Sequence, residues 1–266
     1  MTEAVWRLDE VDGVHLLRCA AIASSPGIAH AFSTRIAFGR ANFDLGSIDR
    51  EDAETGERRT AFLSAAGLGR AQPALLRQVH GGVIVDAASA LRQAPAADGV
   101  IRVASRAAGV PVPAVRTADC VAVLVVDRHA AACAALHAGW RGVAAGIGTR
   151  AVMRFEAEGV AAARLVVAMG PAILGCCFEV GDDVVSALGA VCGTPAAYVA
   201  RSPSGRTTVD LHAAMRAQLV AAGIPAGSVY AAPWCTRCRN DLFFSFRGEG
   251  PAAGRLMAAI GPAQGP

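Results

Sequence analysis

Residues 121–136 constrain the fold more than any other stretch. Val121 to Val126 is continuously apolar and rich in β-branched residues. Asp127-Arg128-His129 is a polar interruption of turn length, and Ala130 to Leu136 is a second run of small apolar residues. An apolar run without alternation reads as a strand covered on both faces, so the pair predicts a central β-hairpin. Antiparallel pairing then brings Cys120, at the start of one strand, and His137, at the end of the next, to the same edge of the sheet. Gly139 and Gly142 flank Trp140 and Arg141, which predicts a sharp turn, and Val143 to Glu158 has helical character.

Shorter signals fill in the rest. Val14–Arg18 and Ile28–Ser33 read as strands, followed by a Gly-containing loop from Phe38 to Gly46. Residues 50–67 carry Ala61, Phe62 and Ala65 at helical spacing and end at Gly67. Leu75 to Val85 reads as an alternating strand broken at Gly81-Gly82. Residues 87–96 form a loop or short helix, and Asp98-Gly99 is a turn before a strand at Val100–Val103. Arg164–Met169 is a strand ended by Gly170-Pro171, and Gly181-Asp182-Asp183 opens a helix with acids at its N-terminus. Arg201 to Thr208 reads as a polar loop, Leu211 to Ala222 as a helix and Ser228 to Ala231 as a strand. Phe243–Arg247 and Arg255–Ile260 read as closing strands. No internal repeat or composition break divides the chain, so residues 1–266 are expected to form one α+β domain.

A chain of 266 residues is long enough to bury a sizeable core. Its net charge of +3 is mild, and there is no basic run or interleaved aromatic platform, which argues against a nucleic-acid partner. The N-terminus, MTEAVWRLDE, is acidic and unlike a secretion signal, and no uncharged apolar stretch reaches the ~18 residues of a membrane span. A cytoplasmic enzyme acting on small molecules is the expectation. The 8 Cys residues then read mostly as buried thiols rather than a disulfide framework.

Cys120, His137 and, in Gln78-Val79-His80-Gly81, His80 are the candidate metal ligands. Two imidazoles and one thiolate with an open fourth position suit a zinc that does chemistry. The spacing matches no zinc-finger or HExxH pattern. Asp119, beside Cys120, is a candidate for orienting a ligand or shuttling a proton, and equally a turn residue; Asp98 and Glu179 are weaker versions of the same case. Cys235-Thr-Arg-Cys238 is a lone CxxC: a four-thiol zinc site wants a second such pair, and the adjacent Cys176-Cys177 suits a turn better. His15, His30, His129 and His212 read as structural or exposed, with His30 near enough in sequence to Arg35 to reach a shared pocket.

Taken in order, RQVHG (77–81), ADGV (97–100), TADC (117–120), HAGWRG (137–142), GPAI (170–173) and CT…FFSFR (235–247) resemble one bacterial and eukaryotic family. It has been labelled a laccase-domain or multicopper polyphenol oxidase family, and its members are better described as purine nucleoside phosphorylases. The resemblance runs from about Ile28 to Ile260. It implies an α/β/β/α sandwich of mixed sheets similar to a toxin cysteine-hydrolase domain, with zinc on His80, Cys120 and His137. It also implies phosphorolysis of adenosine, inosine, guanosine and methylthioadenosine, with deamination of adenosine, so the partners are a nucleoside and phosphate. Arg35, in a family-like FSTR element, is the first candidate for a phosphate clamp, ahead of Arg141 and Arg247, because a guanidinium is a fixed, always charged fork. Cys235 is expected to line the pocket. Ile36-Ala37-Phe38-Gly39, Asp44-Leu45 and Ser245-Phe246-Arg247 depart from the family's usual paired Gly, Asn-Leu and Ser-Tyr-Arg, at positions that bear on substrate preference.

Three other readings stay open. His₂Cys is also a blue-copper ligand set, but a multicopper oxidase needs many more imidazoles, and of 6 His residues only four scattered ones remain after His80 and His137. Copper is therefore less favoured than zinc. Cys120 as nucleophile with His137 as base would give a hydrolase, and some family members are called peptidoglycan editing factors, acting on a mis-made cell-wall precursor. Lastly, the metal could staple a binding module that catalyses nothing.

Overall fold

The computed structural model describes residues 5–46, 52–90, 93–104, 109–202 and 204–264. Among them, one sheet runs in the spatial order β1 (Trp6–Val11), β2 (Val14–Cys19), β3 (Ile28–Ala37), β14 (Leu256–Pro262), β7 (Val112–Thr117) and β4 (Pro73–Ala74). A second runs β13 (Val229–Ala231), β10 (Leu165–Met169), β8 (Val121–Asp127), β9 (Ala132–Ala138), β6 (Gly99–Val103) and β5 (Ile84–Asp86). Both are mixed: β4–β7, β5–β6 and β10–β13 pair parallel, and the remaining ladders are antiparallel. A small hairpin, β11 (Val199–Arg201) with β12 (Thr207–Val209), stands apart.

The expected hairpin is β8–β9, at the centre of the second sheet and buried along its whole length. Its unbroken apolar sequence follows from period-two geometry with a core on each side. Ala122, Leu124 and Val126 pack with Leu17, Phe32, Val115 and Ile260 of the first sheet. Val121, Val123 and Val125 face the other way, onto helices α4 (Ile147–Ala157), α5 (Asp182–Cys192) and α6 (Leu211–Ala221), through Phe155, Leu188, Met215 and Leu219. The outer face of the first sheet is closed by α2 (Ala53–Ala65), whose Phe62 and Leu63 meet Leu16, Ala31 and Ala259. The layers are therefore helix, sheet, sheet, helix, an α+β sandwich as expected. Helices α1 (Ala20–Ala23), α3 (Trp140–Ala144) and α7 (Phe246–Glu249) are single turns at its edges.

Several local expectations differ from the structure. Residues 75–83 are not a strand: the backbone amides of Val79, His80 and Gly81 bond the Asp98 carboxylate instead of a neighbouring ladder, and His80 takes a left-handed φ of 59°. The single helix expected at 143–158 is split into α3 and α4, because Gly146 adopts φ 76° between them. Residues 243–247 are not a strand. Ser245 caps α7 by accepting a hydrogen bond from Gly248 N, so the chain coils at Phe246. Of the polar loop expected over Arg201–Thr208, Arg201 ends β11 and Thr207–Thr208 begin β12, while Pro203 lies outside the described residues. Helix α2 begins at its Asp52 cap, while Arg50 and Glu51 of the expected helix lie outside the described residues, as do Met1–Ala4 of the N-terminal segment and Leu91–Arg92 of the 87–96 segment.

His30 on β3 is buried, and its Nε2 accepts a hydrogen bond from Cys19 N at 2.9 Å. Burial, with the charge of Arg18 adding to it, holds its pKa down at about 3. An unfolded histidine titrates near ~6.5, so as pH falls from there toward 3 the unfolded chain binds a proton that the folded chain refuses. This one residue should therefore cost about 1.4 kcal/mol of stability per pH unit in that window, with no penalty above it. In His30→Gln an amide oxygen can accept the same bond without titrating. Denaturant midpoints measured at pH 7 and pH 5 should drop further for the wild type than for the variant. Equal drops in the two proteins would remove His30 from the account of acid sensitivity.

Candidate metal centre

The hairpin register sets the site. Val121 pairs with Ala138 and Ala122 with His137, so Cys120, one residue before β8, emerges beside the end of β9. On the other side of β9 the paired strand β6 starts at Gly99, opposite Leu136, which leaves Asp98 against His137. Asp98 is 0% exposed. Its Oδ1 accepts from His137 Nδ1 at 2.8 Å and from His80 N at 2.9 Å, and its Oδ2 accepts from Gly81 N at 2.6 Å and Val79 N at 3.3 Å. One carboxylate thus orients an imidazole and also folds the 79–81 loop over it. The rings of His80 and His137 meet edge to face with centroids 4.7 Å apart.

The outcome is a group of three: ligand atoms of His80, Cys120 and His137 all lie within 4.8 Å of one another. Gly139 makes this approach possible, since a Cβ there would stand 2.9 Å from Cys120 Sγ and 3.0 Å from His80 Cδ2. Burial alone would push the Cys120 thiol up, but the facing His137 and His80 rings override it and bring the thiol down to about 6. Burial works against the His137 cation too, yet the charge of Cys120 and the Asp98 hydrogen bond raise it to about 9. A thiolate facing two imidazoles, one with its far nitrogen fixed by a buried carboxylate, is a donor set that fits a borderline-soft divalent ion. Such an ion would be held by His80, Cys120 and His137, with Asp98 behind them.

The group opens into a cavity of about 510 Å³, within the range of small-molecule sites. Trp140, Phe178 and Phe246 give it aromatic walls, and Arg77, Arg116, Arg141, Arg247 and Arg255 give it positive ones. Arg141 is exposed and stacks on Trp140 with Cζ 4.3 Å from the ring centroid. Arg247 lies over Phe178 and donates from its guanidinium to Glu179 O at 3.2 Å. Arg116 is buried and committed to Leu76 O and Gly46 O.

Asp119 lines the same cavity with φ 92° and has both carboxylate oxygens taken. Oδ1 accepts from Thr236 Oγ1 and Oδ2 from Arg247 N, each at 2.6 Å, while its carbonyl accepts from Ile173 N at 2.9 Å. It is a junction that pins three segments beside Cys120. With both oxygens engaged on Thr236 and Arg247 N, Asp119 fits the turn reading more closely than ligand orientation or proton shuttling.

Two expected site residues sit elsewhere. Arg35 does not line the cavity: its guanidinium bonds Glu249 at 3.0 Å, Asn240 O at 2.9 Å and Ala41 O at 3.0 Å, and stacks over Phe244. Those bonds use its fork to close the C-terminal strap onto β3, so the phosphate-clamp reading does not hold for it. Cys235 is buried behind the wall instead of lining it, its Sγ accepting from Leu174 N at 3.5 Å, in a group with Cys176, Cys177 and Cys238. His30 and His212 are buried on backbone partners, His15 faces Glu10, and His129 is exposed. Sequence reasoning gave Asp98 too little weight and missed Thr236 and Gln78. Gln78 bridges to Arg116 with both ends of its amide, at 2.7 and 2.9 Å. The sequence signals for Asp98 are its place in the ADGV element and its position directly before the Gly-led strand that neighbours His137.

A fold of two mixed sheets with this ligand group at the hairpin edge places the chain in a class. Residues 29–263 match the family described as multi-copper polyphenol oxidoreductase laccase, and the chain belongs to that family. It is 35% identical over 260 residues to purine nucleoside phosphorylase YlmD of Geobacillus stearothermophilus, covering 92% of this chain and 93% of that one. It is 40% identical over 169 residues to adenosine deaminase RL5 from a prokaryote; that match spans 63% of this chain and only 64% of RL5. The crystal structure of YlmD superposes with a TM-score of 0.85 at 30% identity, over 98% of this chain and 99% of that one. That of Neisseria meningitidis protein NMB0706 gives 0.77 at 32% identity, over 90% and 96%. Within the described residues no helix is long and apolar enough to cross a membrane.

Proposed function

We propose that this chain is a zinc-dependent purine nucleoside phosphorylase that also deaminates adenosine, working as one domain across residues 1–266. The observation that carries the reading is the His80–Cys120–His137 group opening into a cavity with aromatic and guanidinium walls. The names of YlmD and RL5 point to the same two reactions. Zinc is favoured over copper because, among the described residues, the remaining histidines join no further ligand group. The ion, when bound, supplies a Lewis acid at one end of the cavity.

The protein's own groups do the rest. Trp140, Phe178 and Phe246 offer faces on which a purine can stack. Arg141 and Arg247 offer charge to inorganic phosphate. In phosphorolysis a phosphate oxygen bonds C1′ as the bond from C1′ to the purine nitrogen breaks. The electron pair leaves with the purine, which picks up a proton. Among the described residues Arg141 makes no ion pair, and that leaves its charge available to the anion.

Incubating the protein with adenosine, with and without phosphate, tests this directly. Adenine and ribose 1-phosphate should appear only with phosphate, and inosine in both cases. In Arg141→Ala the phosphate KM should rise about tenfold or more, with inosine formation far less affected. No phosphate-dependent product from any purine nucleoside would refute the phosphorylase reading, and an unchanged phosphate KM would clear Arg141 of its role.

A further inference from the structure

Behind the cavity wall lies a second cluster that the nucleoside reaction does not use. The chain leaves β10 at Met169, and its next turn carries Cys176 and Cys177. The strap that follows β13 runs alongside it: Ala172 and Cys235 form a parallel bridge, and Thr236 N donates to Ala172 O at 2.9 Å. This pairing sets Cys235 and Cys238 against the adjacent pair. Cys238 Sγ stands 3.7 Å from Cys176 Sγ and 3.4 Å from Cys177 Sγ, and all four sulfurs lie within 4.8 Å of one another.

We infer that Cys176, Cys177, Cys235 and Cys238 hold one zinc ion as a tetrathiolate, a second metal site that shares no residue with the His80 group. The distances are those the chemistry needs. Four sulfurs at ~2.3 Å from one tetrahedral ion are about 3.8 Å apart, close to the spacing here. All four thiols are free, so none is already committed to a disulfide. Burial, followed by the neighbouring thiols, raises Cys176 and Cys177, the latter to about 11: without a cation between them the sulfurs resist ionising together, and a divalent ion removes that resistance. Closed on all sides by sulfur, such an ion has no open position and is structural.

Its place in the fold says what it holds. One half of the cluster leads into Phe178 and Glu179, and the other carries Thr236 and leads to Arg247. Thr236 and Arg247 grip Asp119, Phe178 and Arg247 wall the cavity, and Arg247 already crosses from one segment to the other through Glu179 O. The ion staples the two segments together one layer behind the site. This assignment concerns metal content and stands or falls apart from the nucleoside reading.

The test is zinc stoichiometry in full-length protein purified without added metal. Wild type should carry two equivalents, His80→Ala one, and the double variant Cys176→Ser with Cys238→Ser one. Cobalt loaded into His80→Ala should give the intense sulfur-to-metal charge-transfer absorption of four thiolates. Should the serine variant fail to fold, wild type decides alone: a mercurial reagent should release two zincs as thiols titrate, and native alkylation should spare these four cysteines. No zinc left in folded His80→Ala, unchanged zinc in the folded serine variant, iron instead of zinc, a disulfide among the four, or free alkylation of the metal-loaded protein would each overturn the proposal. Two zincs with no nucleoside activity would leave it standing.

Discussion

Asp98→Ala is expected to lose the metal at the His80 group and to destabilise the protein by roughly 3–5 kcal/mol, the cost of breaking a buried ionic pair by removing one partner. Four donors depend on this carboxylate: the amides of Val79, His80 and Gly81 and the Nδ1 of His137. Alanine leaves all four without their acceptor, and the buried His137 Nδ1 among them carries a full desolvation penalty. The loop that presents His80 then has nothing to wrap around, and His137 loses what fixes its ring. Removing a ligand's supporting carboxylate usually costs about 10–100-fold in metal affinity, and here one residue supports two ligands, so a fall of about a hundredfold or more is expected. At roughly 2–4 °C per kcal/mol for a chain of this size, the melting midpoint should drop by about 6–20 °C. Asp98→Asn keeps one acceptor oxygen and should fall between. Chelator competition and thermal unfolding check both parts. A variant with wild-type zinc affinity and an unmoved midpoint would show that the loop and the ring hold themselves.

How far the sequence alone reaches follows from the range of the forces involved. The β8–β9 hairpin was readable because burial on both faces writes an uninterrupted apolar run, and the ends of that run carry Cys120 and His137 into register. What depended on distant partners was not readable. Arg35 looked like an anion clamp because it sits in a family-like FSTR element; its partner, Glu249, lies 214 residues on. The strand expected over Leu75–Val85 gave way at 75–83 to a single carboxylate just before β6, an interaction no local pattern encodes. The break at Gly146 and the coil at Ser245 turn on one left-handed glycine and one capping hydroxyl, both easily overruled in a periodicity argument. The thiol cluster is the clearest case. The rule that four-cysteine zinc sites need two spaced pairs assumes each pair sits on its own hairpin, whereas here an adjacent pair in a turn meets a CxxC brought alongside by the Ala172–Cys235 bridge.

Cys120→Ser should abolish metal binding at the first site while leaving the fold intact, because serine matches the thiol in shape but is a far poorer ligand for a soft ion. Phosphorolysis should fall by about a thousandfold or more, on the order of 4 kcal/mol of transition-state stabilisation. The pH dependence of zinc uptake by the wild type gives a finer test. In the metal-free protein the thiol is held down at about 6, against burial, by His137 and His80, and the His137 cation is held up at about 9 by Cys120 and Asp98. Between those values the pair is a thiolate facing an imidazolium, and zinc must displace one proton, from His137, to bind. Apparent affinity should therefore weaken about tenfold for each unit the pH falls from 9 to 6, and faster below 6, where the thiol proton must leave too. The same pair defines the rival chemistry. A thiolate beside an imidazolium is also how a cysteine nucleophile is activated, and that reading predicts that Cys120 alkylates as readily with zinc present as without it. Protection of Cys120 by zinc, with uptake that releases one proton at pH 8, is the outcome expected here; pH-independent affinity and an unprotected thiol would transfer the chemistry from the metal to the sulfur.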